Sequence, residues 1–343
     1  MTAVIDLRSD TVTAPCDSMR AAMARAAVGD DVYGEDPTVL RLERKLAEMT
    51  DFDDGLFFPS GTQSNLAALL SHCQRGDEYI VAQGAHTYRY EAGGAAVLGS
   101  IQPQPLECGD DGLLDLATVE AAIKDDDFHF AKTRLLALEN TFGGRVVPLD
   151  YIERAAALAR AHGLALHLDG ARAFNAAVES GVEVARIARH FDSVSICLSK
   201  GLGAPVGSVL CAGRELIARA RRWRKMLGGG MRQAGVLAAA GIHALDRNID
   251  RLRDDHRRAR DLAQRLLRID GIEVVGGRAR TNMVFIAQHS GDYDALRRHA
   301  KRHGLLLAAR TAQNTARLVT HMHIGDDQVA TSARIIAEFF ERG

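Results

Sequence analysis

The sequence is short of several features that mark specialised classes of protein. Its 343 residues include only 5% aromatic side chains, and 43 basic against 44 acidic residues leave a net charge of -1. Without a basic surplus or stacking aromatics, we expect no nucleic-acid partner and no binding to acidic membranes. The longest weakly polar run is too short to span a bilayer, and Asp6, Arg8 and Asp10 interrupt the N-terminus where a signal peptide would be apolar. We therefore expect a cytoplasmic protein.

Several common site motifs are missing as well. The five cysteines are odd in number and form no C-x-x-C pair, which excludes the pattern of a zinc knuckle or a disulfide framework. The dipeptide Gly-Lys and the motif G-x-S-x-G do not occur, and GLGAPVG from Gly201 has the wrong spacing for a dinucleotide-binding turn. His321 and His323 lack a nearby third ligand, so we interpret them as partly buried histidines and predict no metal site.

The order of apolar runs predicts an α/β protein. Between about residues 55 and 212, short apolar runs alternate with amphipathic stretches, which indicates a mainly parallel sheet. The runs are GLFFP, EYIVA, RLLALE, LALHLD, SVSICLS and GSVLCA. Helices are predicted after Thr62 and from a capping Asp150 to Gly163. From 246 to 271 the pattern predicts one long helix, whose interleaved acidic and basic residues favour a solvated face. The rest predicts a small α+β domain.

Lysine is scarce, and one lysine has an unusual setting. Of the six lysines, five lie in polar or arginine-flanked contexts. Lys200 instead ends the apolar run SVSICLS and precedes a glycine-rich stretch, at the carboxyl end of a predicted central strand. A partly desolvated amine there can attack a carbonyl to form a Schiff base, although a lysine can also extend into solvent from a strand end.

An acidic residue ends the preceding strand. Asp169 ends LALHLD, and one crossover unit would bring it to the same sheet edge as Lys200. Such a pair suits pyridoxal phosphate, because a lysine holds the aldehyde while a carboxylate keeps the ring nitrogen protonated. Taken alone, Asp169 could equally be a cap for the helix GARAFNAAV.

A third segment could hold the phosphate. PSGTQSN places Gly61 between the hydroxyls of Ser60 and Thr62 on the first turn of a predicted helix. Free N–H groups and the helix dipole favour an anion at such a position. The order phosphate loop, Asp169, Lys200 strengthens the prediction of a pyridoxal phosphate site.

With these residues in place, the sequence resembles the low-specificity L-threonine aldolases, pyridoxal phosphate enzymes of the aspartate aminotransferase fold. The matching segments extend almost from end to end. They are IDLRSDTVT, GDDVYGEDPT, FFPSGTQSN, AHTYRYEAGG, HLDGARAFNA, SVSICLSKGLGAPVGS, GGGMRQAG and RLVTH. The resemblance implies fold type I, with a mainly parallel seven-stranded sheet in residues 1–246 behind an N-terminal arm, and a small α+β domain in residues 247–343.

The resemblance also implies the cofactor contacts. Lys200 would hold the cofactor, Asp169 would pair with the pyridine nitrogen, and His86 would stack on the ring. Gly61 and Thr62 would bind the phosphate. These residues would form the centre of the active site.

Further implied contacts concern the substrate and a neighbouring subunit. Ser9, Arg172 and Arg317 would bind the substrate carboxylate, because a guanidinium fork matches it in two places. Arg172 would also lie beside the cofactor. Arg232 would reach the phosphate of a neighbouring subunit, and Tyr33, near that boundary, would contribute to the substrate site. A homo-oligomer follows from the resemblance, at least a dimer and more specifically a tetramer.

One departure from the family concerns proton transfer. Many members carry histidine after Glu-Asn-Thr, where this sequence has Phe142. His86 and His129, the latter near the substrate hydroxyl, remain the histidine candidates. The implied reaction cleaves L-threonine, L-allo-threonine and related L-β-hydroxy-α-amino acids to glycine and an aldehyde. Another pyridoxal phosphate lyase or transaminase of the same fold is the alternative, because Lys200 and Asp169 specify the cofactor but not the bond that breaks.

Overall fold

The computed structural model describes residues 4–288, 292–311 and 314–341. Its helices are α1 (Asp17–Ala24), α2 (Pro37–Thr50), α3 (Gly61–His72), α4 (His86–Arg89), α5 (Gly94–Gly99), α6 (Leu116–Ala122), α7 (Leu149–Ala161), α8 (Ala173–Ser180), α9 (Val184–Ala188), α10 (Arg214–Met226), α11 (Gly235–Arg247), α12 (Leu252–Leu266), α13 (Tyr293–Arg302) and α14 (Asp326–Glu341). Its strands are β1 (Ile5–Asp6), β2 (Asp54–Phe58), β3 (Asp77–Ala82), β4 (Gln102–Leu106), β5 (Lys132–Glu139), β6 (Ala165–Gly170), β7 (Ser193–Cys197), β8 (Ser208–Ala212), β9 (Ile272–Val274), β10 (Met283–Gln288), β11 (Leu305–Leu306) and β12 (Thr315–Val319). Short 3-10 helices lie at Asp10–Val12, Asp31–Tyr33 and Val275–Gly277.

Seven strands form the large sheet, in the order β2-β8-β7-β6-β5-β3-β4. β4, β3, β5, β6 and β7 run parallel, while β8 is antiparallel to both of its neighbours. Residues 198–207 join β7 to β8 without a crossover helix, so β8 returns in the opposite direction. The mainly parallel seven-stranded sheet is confirmed. The carboxyl ends of β5, β6 and β7 therefore meet at one edge.

The strand β4 has no apolar signal in the sequence. Its residues, QPQPL, alternate glutamine with proline, and proline usually marks a turn or an irregular segment. β4 lies at the edge of the sheet, where it pairs only with β3. An edge strand tolerates proline because one side of its backbone needs no partner in the sheet. The sequence predicted six of the seven strands for this reason.

A second core lies beside the large sheet. β9, β10 and β12 form an antiparallel sheet that packs with α12, α13 and α14. Ile5 and Leu7 belong to this core, and β1 pairs in parallel with β11. The N-terminal segment thus contacts the small sheet just before it reaches Asp10. The boundary between residues 246 and 247 stays a prediction.

Two helix predictions are wrong in detail. The long helix expected from 246 is broken, because α11 ends at Arg247 and α12 begins at Leu252. In the break, Asn248 Nδ2 donates to the Leu202 carbonyl at 2.7 Å, and Arg251 Nη1 donates to the Gly201 carbonyl at 3.1 Å. The irregular turn thereby holds the loop that follows Lys200.

The second correction concerns the start of α7. Asp150 does not cap this helix, which begins one residue earlier, after Pro148, without a side-chain cap. Asp150 lies in the first turn, where a carboxylate still interacts favourably with the helix dipole. Its side chain therefore has an electrostatic role there instead of a capping one.

The remaining structural expectations concern membranes, cysteines and histidines. Within the described ranges, no helix is both long enough and apolar enough to cross a membrane. All five cysteines carry free thiols. His321 is buried, and its Nε2 lies 2.8 Å from the Asp6 carbonyl oxygen, to which it donates. The prediction of partial burial is wrong in detail for both histidines, because His321 is fully buried and His323 is exposed.

Candidate active site

Asp169 is a buried carboxylate at the end of β6. Its Oδ2 accepts a hydrogen bond from Asn65 Nδ2 at 3.0 Å, and its Oδ1 accepts from the backbone N–H of Ala171 at 3.0 Å. α8 begins only at Ala173, and its N-cap residue is Arg172. Asp169 therefore does not cap that helix. Two donors hold the carboxylate in place, and lone pairs remain on both oxygens for a further proton donor.

Lys200 lies just past the end of β7, the strand next to β6. Its carbonyl oxygen accepts from the Gly203 N–H at 2.8 Å and from Thr13 Oγ1 at 3.4 Å, which fixes the backbone. Within the part of the chain that the structure describes, its Nζ makes no hydrogen bond or ion pair. The Lys200 charge is close enough to add to the effect of Arg172 in lowering the pKa of Asp10, and to oppose the rise that burial causes in the pKa of Glu139. The amine is thus free to react at the edge where Asp169 lies.

His86 begins the short helix α4 beside two carboxyl groups. Its Nδ1 lies 2.8 Å from Glu91 Oε1, and its backbone N–H donates to Glu139 Oε2 at 2.8 Å. The hydrogen bond to Glu91 raises the pKa of His86, and the negative charge of Asp169 adds to this effect. Burial raises the pKa of Glu91, and burial together with the Asp169 charge raises the pKa of Glu139 to about 7. His86 is therefore the centre of a polar cluster that includes Asp169.

Glu139, Glu91 and Asn65 were missed from the sequence. Glu139 ends the apolar run RLLALE just as Asp169 ends LALHLD, and the two residues are direct neighbours in the register of β5 and β6. That shared signal could have identified Glu139. No comparable signal marks Glu91 or Asn65, because their partners come from other elements.

The start of α3 offers a place for an anion. Ser60 caps the helix, its Oγ accepting from the Gln63 N–H at 3.2 Å, and the N–H groups of Gly61 and Thr62 belong to the first turn, which has no intrahelical acceptors for them. Ser208 Oγ is buried and finds no hydrogen-bond partner among the residues that the structure describes, and a Cβ added at Gly61 would lie 3.4 Å from it. Two amide donors, an unused hydroxyl and a glycine fit a phosphate group.

Two arginines of this edge differ in their partners. Arg172 Nε and Nη2 donate to the two oxygens of buried Asp10 at 2.8 and 2.6 Å. Burial alone would raise the pKa of Asp10, but Arg172 holds it well below its usual range. Arg317, half-buried on β12, makes no hydrogen bond or ion pair with any described residue, and burial and the Arg172 charge lower its pKa. Arg317 is the free guanidinium of the site.

Ser9 precedes Asp10 and caps the 3-10 helix there. Its Oγ accepts from the Thr11 N–H at 3.2 Å and from Thr11 Oγ1 at 2.9 Å. The hydroxyl hydrogen of Ser9 has no acceptor among the described residues. Ser9 therefore keeps one donor for a ligand.

Three predicted site residues are not brought to Lys200 or Asp169 within one chain. The His129 side chain is 65% exposed and pairs with Asp127. Tyr33 is 75% exposed. The Arg232 side chain is 56% exposed and its Nη1 lies 2.8 Å from Asp30 Oδ2. Their suggested roles stay predictions.

Phe142 contacts the turn that leads to His86. A Cβ added at Gly84 would lie 3.1 Å from Phe142 Cζ, so the ring packs closely against that glycine. The aromatic residue thus supports the backbone two residues before His86. It supplies no proton donor or acceptor there.

Comparisons with known proteins agree with this site. Residues 6–289 match the family described as beta-eliminating lyase. The chain is 52% identical to the low specificity L-threonine aldolase of Escherichia coli K12 over 339 residues, 99% of this chain and 100% of that protein. It is 44% identical to low-specificity L-threonine aldolase 1 of Arabidopsis thaliana, covering 95% of this chain and 93% of that one.

Solved structures show the same fold. The threonine aldolase of Leishmania major superimposes with a TM-score of 0.82 at 22% identity, covering 98% of this chain and 99% of that one. A putative L-allo-threonine aldolase from Listeria monocytogenes gives 0.80 at 19% identity, covering 98% and 96%. At these identities the likeness concerns the fold, which is that of the fold type I pyridoxal phosphate enzymes. Together with the sequence matches, these results show that the chain belongs to the low-specificity L-threonine aldolases, which are pyridoxal-phosphate-dependent lyases.

Proposed function

We propose that this enzyme cleaves L-threonine and L-allo-threonine between Cα and Cβ, giving glycine and acetaldehyde, with Lys200 as the residue that holds the cofactor. The observation that carries the proposal is the free Lys200 amine at the same sheet edge as Asp169, whose carboxylate is already held by two donors. Pyridoxal phosphate, when bound, supplies an aldehyde that condenses with amines and a pyridinium ring that stabilises negative charge at Cα. In the proposal, Asp169 holds the proton on the ring nitrogen.

The start of α3 is the proposed phosphate site. The N–H groups of Gly61 and Thr62 and the unpartnered Ser208 hydroxyl would donate to the phosphate. The positive end of the helix dipole favours the same anion. His86, held by Glu91 and Glu139, would lie over the ring.

Substrate orientation follows from the arginines. The free guanidinium of Arg317 would bind the substrate carboxylate as a fork, with Arg172 Nη1 and the Ser9 hydroxyl as additional donors. Asp10 accepts from Nε and Nη2 of Arg172, and this contact fixes the direction in which the remaining nitrogen, Nη1, can donate. Fixing the carboxylate sets the angle of the Cα–Cβ bond to the ring, and this orientation determines which bond can break.

His86 is the proposed acceptor for the proton of the β-hydroxyl. Glu91 Oε1 already accepts from Asn65 Nδ2 at 2.9 Å, so His86 Nδ1–H donates to the same carboxyl group. The neutral ring then has a lone pair on Nε2, which can accept the hydroxyl proton. Glu91 would stabilise the positive charge that forms on His86. His129 remains a second candidate through its exposed loop.

The four stereoisomers of threonine test the substrate assignment. We expect cleavage of L-threonine and L-allo-threonine but not of their D isomers, because the amine and carboxylate fix Cα while only the methyl position differs between the two L forms. A misplaced methyl group in an apolar pocket costs about 1 to 3 kcal/mol, so discrimination between the L forms should be modest. Measurement of kcat/KM for all four isomers, with glycine and acetaldehyde quantified, decides the matter. Comparable cleavage of D-threonine, or transamination without acetaldehyde, would contradict the proposal.

The exposed surface around Tyr33 and Arg232 suggests that a second subunit completes each site. The Asp31 N–H donates to the Arg232 carbonyl at 3.0 Å, and Tyr33 lies only two residues after Asp31. Tyr33 and Arg232 therefore belong to one region of the surface. We propose at least a homodimer, and a homotetramer as the full assembly, in which Arg232 reaches the phosphate of the neighbour. A cytoplasmic location, expected from the N-terminal sequence, is part of the same proposal.

Mixing two inactive variants tests the shared site. Lys200→Ala and Arg232→Ala, unfolded together and refolded in equal amounts, should regain about a quarter of the wild-type sites, because a mixed dimer has one intact site out of two. Lys200→Ala mixed with Asp169→Asn is the matched control and should regain none, since both changes fall on residues of one chain's site. Recovery in the control, or none in the test mixture, would rule out a site shared through Arg232.

A further inference from the structure

A chain of buried hydrogen bonds leads away from Asp169 between α3 and the sheet. Asn65 and His72 are seven residues apart on α3, so they lie on one face about 10 Å apart along the axis. His167 and Ser193 are direct neighbours on β6 and β7, and His167 lies two residues before Asp169, on the same face of β6.

The links of this chain are short. His72 Nε2 lies 2.7 Å from Ser193 Oγ, Ser193 Oγ lies 2.8 Å from His167 Nδ1, and His167 Nε2 lies 3.3 Å from Asn65 Oδ1. Asn65 Nδ2 then donates to Asp169 Oδ2 at 3.0 Å and to Glu91 Oε1 at 2.9 Å. A continuous path therefore connects the end of α3 with the Asp169 carboxylate.

The two carboxyl groups fix the orientation of the Asn65 amide, and the neutral state of His167 then fixes the direction of the remaining bonds. Only the amide N–H2 of Asn65 can face both Asp169 and Glu91, so its Oδ1 must accept from His167 Nε2–H. A neutral His167 then accepts at Nδ1 from the Ser193 hydroxyl, which in turn accepts from His72 Nε2–H. Burial lowers the pKa of His167 to about 3 and that of His72 to about 4, which keeps both rings neutral near pH 7. All donors point towards Asp169.

The consequence concerns the charge of Asp169. A carboxylate that accepts an additional N–H bond is stabilised in its ionised form. If Asn65 turned or were lost, the Asp169 carboxylate would lose one of the two donors that hold it, and its negative charge would be less firmly fixed for the proposed ring nitrogen. The amide of Asn65 has no freedom to turn, because His167 occupies its oxygen.

We propose that Asn65 is a positioning residue for Asp169 and that His167, Ser193 and His72 hold its amide in the donating orientation, which keeps the cofactor ring nitrogen protonated. The inference rests on the proposed pairing of Asp169 with that nitrogen. α3 carries Gly61 and Thr62 at its first turn and Asn65 one turn later, so one helix would fix both the phosphate and the ring nitrogen.

Nitrogen-15 NMR of the holoenzyme tests the proposal directly. Enzyme reconstituted with pyridoxal phosphate labelled at the ring nitrogen reports whether that nitrogen carries a proton. The wild type should give a protonated nitrogen, and Asn65→Leu should shift the resonance towards neutral pyridine. We expect kcat to fall roughly 10- to 100-fold, by analogy with the loss found when a residue that orients a metal ligand is removed. KM should change little, because the arginines that bind the carboxylate are untouched.

A pair of His167 variants separates hydrogen bonding from packing. Gln can place an amide N–H near the position of Nε2, so His167→Gln should retain a protonated ring nitrogen and most of kcat, while His167→Phe should behave as a weaker version of Asn65→Leu. His299→Phe is the matched control for a buried histidine, because His299 Nε2 contacts the Ile335 carbonyl at 3.1 Å in the second core. This control should leave the resonance unchanged.

The outcomes distinguish the proposed role of Asp169 from the proposed role of Asn65. If Asp169→Asn leaves the ring nitrogen protonated as in the wild type, the proposed role of Asp169 is overturned. If Asp169→Asn removes the proton while Asn65→Leu and His167→Phe both retain it, Asp169 keeps its role and the positioning inference is overturned. Equal effects of His167→Gln and His167→Phe on the resonance would also overturn it. Should Asn65→Leu fail to fold, the His167 pair decides alone.

Discussion

Replacement of Lys200 by alanine should abolish cleavage of L-threonine. The variant loses the amine that we place in covalent linkage with the cofactor, so the rate should fall by at least about 10⁴-fold, the scale seen when a covalent catalytic group is removed. Cofactor should still bind, but reversibly, because the first turn of α3 and the Asp169 carboxylate remain. Visible absorption before and after dialysis, together with the rate of glycine formation, measures both effects.

Chemical trapping identifies the lysine independently of activity. Borohydride reduction of the yellow holoenzyme should fix a pyridoxyl group on the peptide that contains Lys200. Lys301→Ala, an exposed lysine on α13, is the matched control and should keep wild-type turnover and labelling. A label on Lys225 or on any other lysine, or an active Lys200→Ala variant, would contradict the assignment.

The positions of Lys200 and Asp169 could be predicted because strand ends are visible in the sequence. Both residues follow apolar runs, and parallel neighbouring strands bring such ends to one edge. The same reasoning applies to Glu139, which it would have placed beside Asp169. A glutamate at a strand end is nevertheless common on protein surfaces, so this position alone does not single out Glu139 as a site residue.

The pairing of the two arginines could not be predicted. Arg172 and Arg317 carry the same guanidinium group, and the family resemblance implies that both bind the substrate carboxylate. Only the fold brings Asp10, 162 positions earlier in the chain, against Arg172, and leaves Arg317 with no ion pair to any carboxylate of the described residues. Long-range pairing of this kind depends on how the N-terminal segment packs, which periodicity does not report.

The interruption after α11 was hidden for a related reason. Neither glycine nor proline marks residues 248–251, and the helical spacing of apolar residues continues across them. The chain leaves the helix because Asn248 and Arg251 donate to backbone carbonyls of the loop beyond Lys200. These tertiary hydrogen bonds outweigh the intrinsic helix propensity of the residues, which amounts to less than about 1 kcal/mol per residue.

Asp169→Asn should fold normally yet lose most of its catalytic rate. The amide removes the negative charge that we propose holds the ring nitrogen protonated, so the ring becomes a poorer acceptor for the electrons released at Cα. We expect kcat to fall about 10²- to 10³-fold, comparable with the loss of one preorganised electrostatic contact. KM should change less, because the proposed contacts of Arg317 and Arg172 with the substrate carboxylate are unchanged. Steady-state kinetics with L-threonine and the labelled-nitrogen spectrum measure the two consequences.

Asp192→Asn provides the matched control at the other end of the same strand pair. Asp192 lies just before β7, and its Oδ2 accepts from the N–H of Leu166, near the start of β6, at 2.7 Å. This bond therefore lies at the end of the two strands that is opposite to Asp169. The amide oxygen of asparagine can also accept this bond, so the free energy of unfolding should change little and turnover should stay at the wild-type level. If Asp169→Asn also turned over L-threonine like the wild type, neither the negative charge of Asp169 nor both of its accepted bonds, from Asn65 and Ala171, would be needed for the reaction. The partner of the ring nitrogen would then be one of the other buried carboxyl groups of this edge, Glu139 first.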